Sequence, residues 1–189
     1  LSGRVMQFSA DYPGYWQRKV EEQTHGMAMF LAGGVGSHGP VAKGDGFEGA
    51  QRMGEALAEE VLKRLTEVKV VTETSLGVLG LELQLPEAQV RLTDGWRLRP
   101  AITRRLMPVS DHTFVQAVRL GDTLWFSTPC DFSGELALDL KGLVERRGLH
   151  AVVTSFNGDY IGYVVPLQYY HYPGYEPRLM SFYGPYVSV

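Results

Sequence analysis

Two residues near the ends of strand-like runs carry side chains able to act on a substrate or a metal: Asp131 and Tyr160. Asp131 comes just after the apolar run WFSTP, which stops at Pro129, and just before a helix-like segment. Tyr160 comes after a second apolar run, AVVTSF, by way of NGDY. Ligands of open α/β sheets bind at the carboxyl ends of strands, so chemistry is expected between residues 127 and 176. Each residue also has a purely structural reading. An acid ahead of a helix is a natural N-cap, and a lone tyrosine is an ordinary core or surface residue.

A second candidate is the loop GGVGSHGP, which presents Ser37 and His38 at a strand tip. It lacks the lysine of a P-loop and the GxGxxG spacing that leads directly into a helix, so it is not read as a nucleotide site. Its glycines let the backbone turn sharply and approach something closely. The alternative is a tight turn with incidental polar residues. The histidines at 25, 38, 112, 150 and 171 show no HxH or HExxH spacing, so their pattern supports no metal site. Eight of the ten tyrosines lie between Tyr160 and Tyr186. Tyrosine offers an apolar body and a polar tip, which suits a cleft for an amphiphile or a sugar, and equally a packed coil whose hydroxyls find internal partners.

The elements that must position these residues follow from periodicity. Helices are expected from an opening at Ser9–Pro13, with Ser9 or Asp11 as cap, to about Thr24, from Gly49 to Leu65 and from Gly134 to Arg147. In the second, Met53, Leu57, Val61 and Leu65 recur at steps of four and predict its packing face. Strands are expected at Val5–Phe8, Met27–Ala32 (buried), Lys69–Thr72, Leu79–Leu85 (one face buried), Phe114–Leu120, Thr123–Thr128 and Ala151–Phe156. Gly121-Asp122 marks a hairpin turn. The basic cluster Arg97, Arg99, Arg104 and Arg105 suits an exposed face or a lid. Strands mixed with helices, a hairpin and a strand–helix–strand unit predict α/β or α+β with a mixed sheet flanked by helices.

Composition sets the outer bounds. The 189 residues suit one domain with a real core, and the hydrophobic and charged fractions of 44% and 21% are those of a globular protein. A net charge of −3 with interleaved signs announces no nucleic-acid face. The single cysteine, Cys130, excludes an internal disulfide and a cysteine-based zinc site. No apolar run approaches the roughly 20 residues that span a bilayer. The start at Leu1 and the ending YGPYVSV read as the middle of a longer polypeptide.

Five stretches, in order, resemble the neutral/alkaline, non-lysosomal ceramidase family. SADYPGYWQRKVEE is similar to that family's segment after its second zinc histidine, and AMFLAGGVGSHGP to its strand and glycine loop of the form NxGDVSP. GFEGAQRMGEALAEEVL is similar to the helix that follows. RLGDTLWFSTPCDFSGELA resembles its IG-x-L-x-x-x-x-PGEFT segment, and NGDYIGYVVP with YEPRLMSFYGP its NxYxxYxTT…YE…GP ending.

The resemblance implies a zinc-dependent amidase that cleaves the N-acyl bond of ceramide or a related lipid. The family's zinc-binding glutamate falls on Asp131 and its tyrosine on Tyr160, while both zinc histidines fall before Leu1. Zn2+ would then be completed by a missing N-terminal part of the same polypeptide, and the whole chain is expected to be part of one larger catalytic domain. Tyr163, Tyr169 or Tyr170 could donate to an oxyanion. The hydroxyl-bearing position of the glycine loop falls on Gly39, so zinc-activated water, not a serine, would be the nucleophile, with Ser37 and His38 as proton carriers or substrate contacts. An extracellular or periplasmic location with peripheral membrane contact follows from the same resemblance. The competing expectation is a lipid- or glycan-binding module that kept the fold and lost the metal.

Overall fold

The structure, a computed structural model of the chain, describes residues 6–41, 43–93, 95–107 and 110–189. Two compact units divide it: residues 1–30 with 40–72, and residues 31–39 with 73–189.

The first unit is a helical pair, α1 (Asp11–Thr24) and α2 (Gly46–Leu65). The face of α2 that is buried is small: Gly49, Ala50, Gly54 and Ala58. The expected stripe makes the contact only in part: Val61 packs on the core, but Leu57 and Leu65 remain 38% and 43% exposed. Gly54 shows why. A Cβ there would lie 2.5 Å from the Tyr12 carbonyl and 2.8 Å from the Trp16 amide, so small residues alone let the backbones meet. Trp16, Val20, Ala28 and Ala58 form the core, with Phe30 and Val61 packed on it. The predicted strand at Met27–Ala32 does not form. The segment forms no ladder, although the Ala32 carbonyl accepts the Ser155 amide at 2.8 Å; Ala28 turns inward, and Met27 and Met29 are 91% and 75% exposed. The Ala28 amide donates to the Glu21 carboxylate instead of a neighbouring strand. Met6–Phe8 and Lys69–Thr72 also lack strand pairing; Val5, the start of the first predicted strand, lies outside the described residues.

The second unit is built on a mixed four-stranded sheet in the order β1-β4-β5-β7. Its strands are β1 (Leu76–Gln84), β4 (His112–Leu120), β5 (Thr123–Ser127) and β7 (His150–Thr154). β1, β4 and β5 run antiparallel in turn, whereas β5 and β7 are parallel. The β4–β5 hairpin turns at Gly121, with φ +60°, a left-handed angle that glycine adopts at no steric cost. Parallel pairing requires a crossover, and α4 (Gly134–Glu145) supplies it, packing on β7. Between β1 and β4 lie a small hairpin, β2 (Arg91–Thr93) with β3 (Trp96–Arg97), and α3 (Pro100–Leu106). Arg97, Arg99, Arg104 and Arg105 are exposed, as expected. Of the alternating leucines predicted to be buried, Leu85, just beyond β1, lies in the core, whereas all nine residues of β1 are exposed.

A short parallel pair, β6 (Asp131–Phe132) and β8 (Tyr163–Val164), sits on the second core, formed by Leu85, Ala88, Cys130, Ile161, Val164, Phe182 and Tyr183. Burial pushes the Cys130 thiol up to about 12, so it packs as an inert apolar side chain.

Candidate functional site

The β6–β8 pair is what brings the predicted residues together. The Ile161 amide donates to the Pro129 carbonyl at 2.8 Å, Asp131 to Gly162 at 2.9 Å and Ser133 to Val164 at 3.1 Å. Asp131 is thereby paired with Tyr163, and Tyr160 lies just upstream in the loop. The turn between the two tyrosines depends on Gly162, with φ +83° and room for no Cβ: one would lie 2.3 Å from the Met180 carbonyl.

Asp131 is only 7% exposed, and a buried carboxylate needs partners to replace water. The Tyr160 hydroxyl donates to its Oδ2 at 2.7 Å. Tyr163 also interacts with the carboxylate. Burial first, then the hydrogen bond and charge of Asp131, raise the Tyr160 phenol above its ordinary value. Burial, followed by the Asp131 charge, pushes Tyr163 up to about 12. Both phenols therefore hold their protons at neutral pH. Their rings are set by aromatic neighbours: Phe156 stacks on Tyr160 with centroids 6.2 Å apart, and Tyr175 meets Tyr163 edge-on at 5.9 Å.

The N-cap reading of Asp131 does not hold. The N-cap position of α4 is held by Ser133, whose side chain makes no capping hydrogen bond, and the Gly134 amide at the helix start donates to Ser37 Oγ at 3.0 Å. The glycine loop therefore lies against β6. The Gly36 amide donates to the Phe132 carbonyl at 2.8 Å, and a Cβ on Gly36 would stand 2.3 Å from the Asp131 carbonyl. His38 packs on Gly134, where an added Cβ would lie 2.9 Å from its Nδ1. Together with Glu135 and Lys141, Ser37 and His38 line a cavity of ≈ 400 Å³. Hydrogen bonds from Ser133 and Ser37, aided by its own backbone amide and the charge of His38, hold the Glu135 carboxyl below its usual value.

Tyr170 is placed differently. It is 4% exposed, lies with its ring centroid 3.8 Å from the Arg91 guanidinium carbon, and accepts a hydrogen bond from Arg91 through its carbonyl at 3.0 Å. Sequence reasoning missed Arg91, Glu135 and Ser155, and took Tyr175 only as one of the tyrosine-rich tail. Ser155 receives the Phe132 amide at 3.3 Å and donates to the Gly33 carbonyl at 2.6 Å, tying the glycine loop to β6. Only Glu135 had a local signal, as an acid in the first turn of a predicted helix.

Two oxygen donors 2.7 Å apart are close enough to enter one metal's shell, where Zn–O bonds are about 2.0–2.2 Å. Asp131 and Tyr160 could therefore both reach one cation, although in this structure they are joined by a hydrogen bond. Among the described residues, no three or more His, Cys, Asp or Glu side chains are gathered around one point.

No family model matches the chain, and no curated protein matches it. Solved structures do match, along its full length. One is the crystal structure of neutral ceramidase from Pseudomonas aeruginosa, with a TM-score of 0.72 and 17% identity. Another is a ceramidase complexed with C2, with a TM-score of 0.72 and 15% identity. The chain covers 40% and 41% of those chains. At such identities the likeness is one of fold: over its whole length, this chain has the fold of about two fifths of a neutral ceramidase chain.

Proposed function

We propose that the chain forms half of the active site of a zinc-dependent amidohydrolase of the neutral ceramidase type, acting on the N-acyl amide of ceramide or a related lipid. The observation that carries this reading is the Asp131–Tyr160 contact at 2.7 Å, with Tyr163 on the same carboxylate. The fold shared with the ceramidases supports it. In this reading Asp131 and Tyr160 hold Zn2+, and the remaining ligands come from an N-terminal part of the same catalytic domain. When bound, zinc polarises the amide carbonyl and lowers the pKa of water to about 7. Tyr163, which keeps its proton at neutral pH, donates to the developing oxyanion. Ser37 and His38, held at the start of α4, contact the substrate or carry its proton. Tyr170 lies buried beneath Arg91. The enzyme acts outside the cell or in the periplasm, meeting its amphiphilic substrate at a membrane surface. None of the described helices is long and apolar enough to cross that membrane.

The test is turnover on short- and long-chain N-acyl substrates by the full natural polypeptide. Loss of a group that merely orients a metal ligand costs about 10–100-fold, so Asp131→Ala is expected to lose at least ~100-fold. Ser37→Ala removes at most one hydrogen bond, typically worth about 0.5–1.5 kcal/mol, and should retain most of the rate. Wild-type turnover in Asp131→Ala would overturn the reading. A second reading, a lipid- or glycan-binding module without turnover, draws on the solvent-facing tyrosines: Tyr172, Tyr175 and Tyr186 are 53–74% exposed. Binding of a ceramide-containing vesicle with no hydrolysis under zinc would favour it.

A further inference from the structure

β1 ends the four-stranded sheet, yet it has few of the features of an edge strand. Exposed edges are normally short, bulged, or guarded by lysine or proline, because a row of free backbone groups recruits other strands. β1 is nine residues long, LGVLGLELQ, with Glu82 as its one charged residue. It pairs with β4 in unbroken register from Leu76↔Leu120 to Gln84↔His112.

The direction of its free backbone groups can be deduced. The Leu85 amide donates to the Asp111 carbonyl at 2.7 Å, and the Gly121 amide donates to the Ser75 carbonyl at 2.9 Å. Both bonds lie at the ends of the β1–β4 register, and both involve odd-numbered residues of the first strand. Hydrogen-bonded and non-hydrogen-bonded pairs alternate along an antiparallel ladder. The odd residues Gly77, Leu79, Leu81 and Leu83 therefore bond toward β4. Leu76, Val78, Gly80, Glu82 and Gln84 direct their N–H and C=O groups outward, where no described strand pairs with them.

The side chains make the same point on both faces. Leu79 and Leu81 are 73% and 57% exposed on one face, and Leu76 and Val78 are 70% and 60% exposed on the other. Next to Val78, on that second face, Phe114, Val118 and Trp125 line an open groove of ≈ 590 Å³ with Gly80. A strand apolar on both faces is the pattern of a covered, interior strand.

We infer that β1 is an interior strand of the natural protein, and that an extended, apolar segment of the same polypeptide pairs with its outer edge. The segment comes from the part that the ceramidase structures possess beyond the 40% matched by this chain. A second copy fits less well. Edge-to-edge pairing of two β1 strands would satisfy the backbone and still leave Leu79, Leu81 and Val78 open on the faces, whereas a layered domain covers edge and faces together. This inference rests on the shared fold and not on zinc or hydrolysis.

The experiment is residue-resolved hydrogen–deuterium exchange on the full natural polypeptide, at two protein concentrations spanning any dimer equilibrium followed by native mass. The expected result is that the even-numbered amides from Leu76 to Gln84 are protected by at least ~100-fold, like their odd-numbered neighbours, in the monomer. Odd amides protected beside even amides at unprotected rates would overturn the inference. So would even-amide protection that disappears as a dimer dissociates, because the occupant would then be a second copy. Even-amide protection in a monomer that neither binds zinc nor hydrolyses amides would sustain the inference and sink the proposed function, so the two fail separately.

Discussion

At the scale of the residue, the site is one buried carboxylate and the phenols that answer its charge. Asp131 is 7% exposed, and both Tyr160 and Tyr163 engage it. The phenols lose protons only above their ordinary range, by burial first and the Asp131 charge after it. Asp131→Asn removes that charge and should bring both titrations down toward pH 10, though not fully, because burial remains. Absorbance titration at alkaline pH checks this, and curves that overlay the wild type would mean Asp131 does not face the phenols in solution. The linkage has a definite sign. An unfolded tyrosine ionises near 10 while folded Tyr163 holds its proton to about 12, so stability is full below pH 10 and falls as pH rises through that window. Gly39 is a different case, with open space within 4 Å of a built Cβ and no left-handed φ. Gly39→Ser should therefore change stability by less than about 0.5 kcal/mol, as thermal melts can verify, and it supplies a clean background for asking whether a hydroxyl there raises turnover.

At the scale of the element, close backbone approach matters more than apolar stripes. The α1–α2 contact is made through glycine and alanine, and Gly54 faces backbone rather than a flexible side chain. Gly54→Ala should force the helices apart and destabilise the first unit by roughly 1–3 kcal/mol, the usual cost of overpacking. Chemical denaturation measures it, and an unchanged midpoint would show that the helices pack by another face. The sequence announced α2 through the periodic run Gly49–Leu65, but its stripe was only partly right about the face, since Val61 reaches the core and Leu57 and Leu65 do not. Residue spacing tells which positions share a side, not whether the partner backbone comes close enough to exclude leucine. The same limit explains Met27–Ala32. An apolar run reads as a strand, but a strand exists only if a neighbour accepts its hydrogen bonds, and here the Ala28 amide goes to the Glu21 carboxylate.

At the scale of the whole molecule, chemistry and completeness are tied. A donor pair of one carboxylate and one phenol is too small to hold zinc tightly, since ligands must be gathered before a metal is retained. The full natural polypeptide is expected to carry about one zinc per chain, and Tyr160→Phe to weaken it. Metal analysis before any chelation checks this, and a zinc-free full-length protein would count against the proposed function. The open faces of β1, with its five outward-pointing amides, belong to the same scale. They concern which parts of a polypeptide cover one another, a matter no local pattern records.

The sequence by itself determined the mixed α/β class, the helices α2 and α4, the hairpin at Gly121, and the nomination of Asp131 and Tyr160. Each rests on a local rule: periodicity, a turn dipeptide, or a polar side chain at the end of an apolar run. Only the tertiary structure decided that Asp131 faces Tyr160 and Tyr163 rather than capping α4, that Ser37 takes the Gly134 amide, and that Tyr170 lies beneath Arg91. These contacts join residues from 29 to 97 positions apart, as for Tyr160 with Asp131 and Gly134 with Ser37. Such pairings follow from the parallel β6–β8 register and from where Gly36 and Gly162 let backbones touch, and a linear pattern of residue types carries no information about distance across the fold.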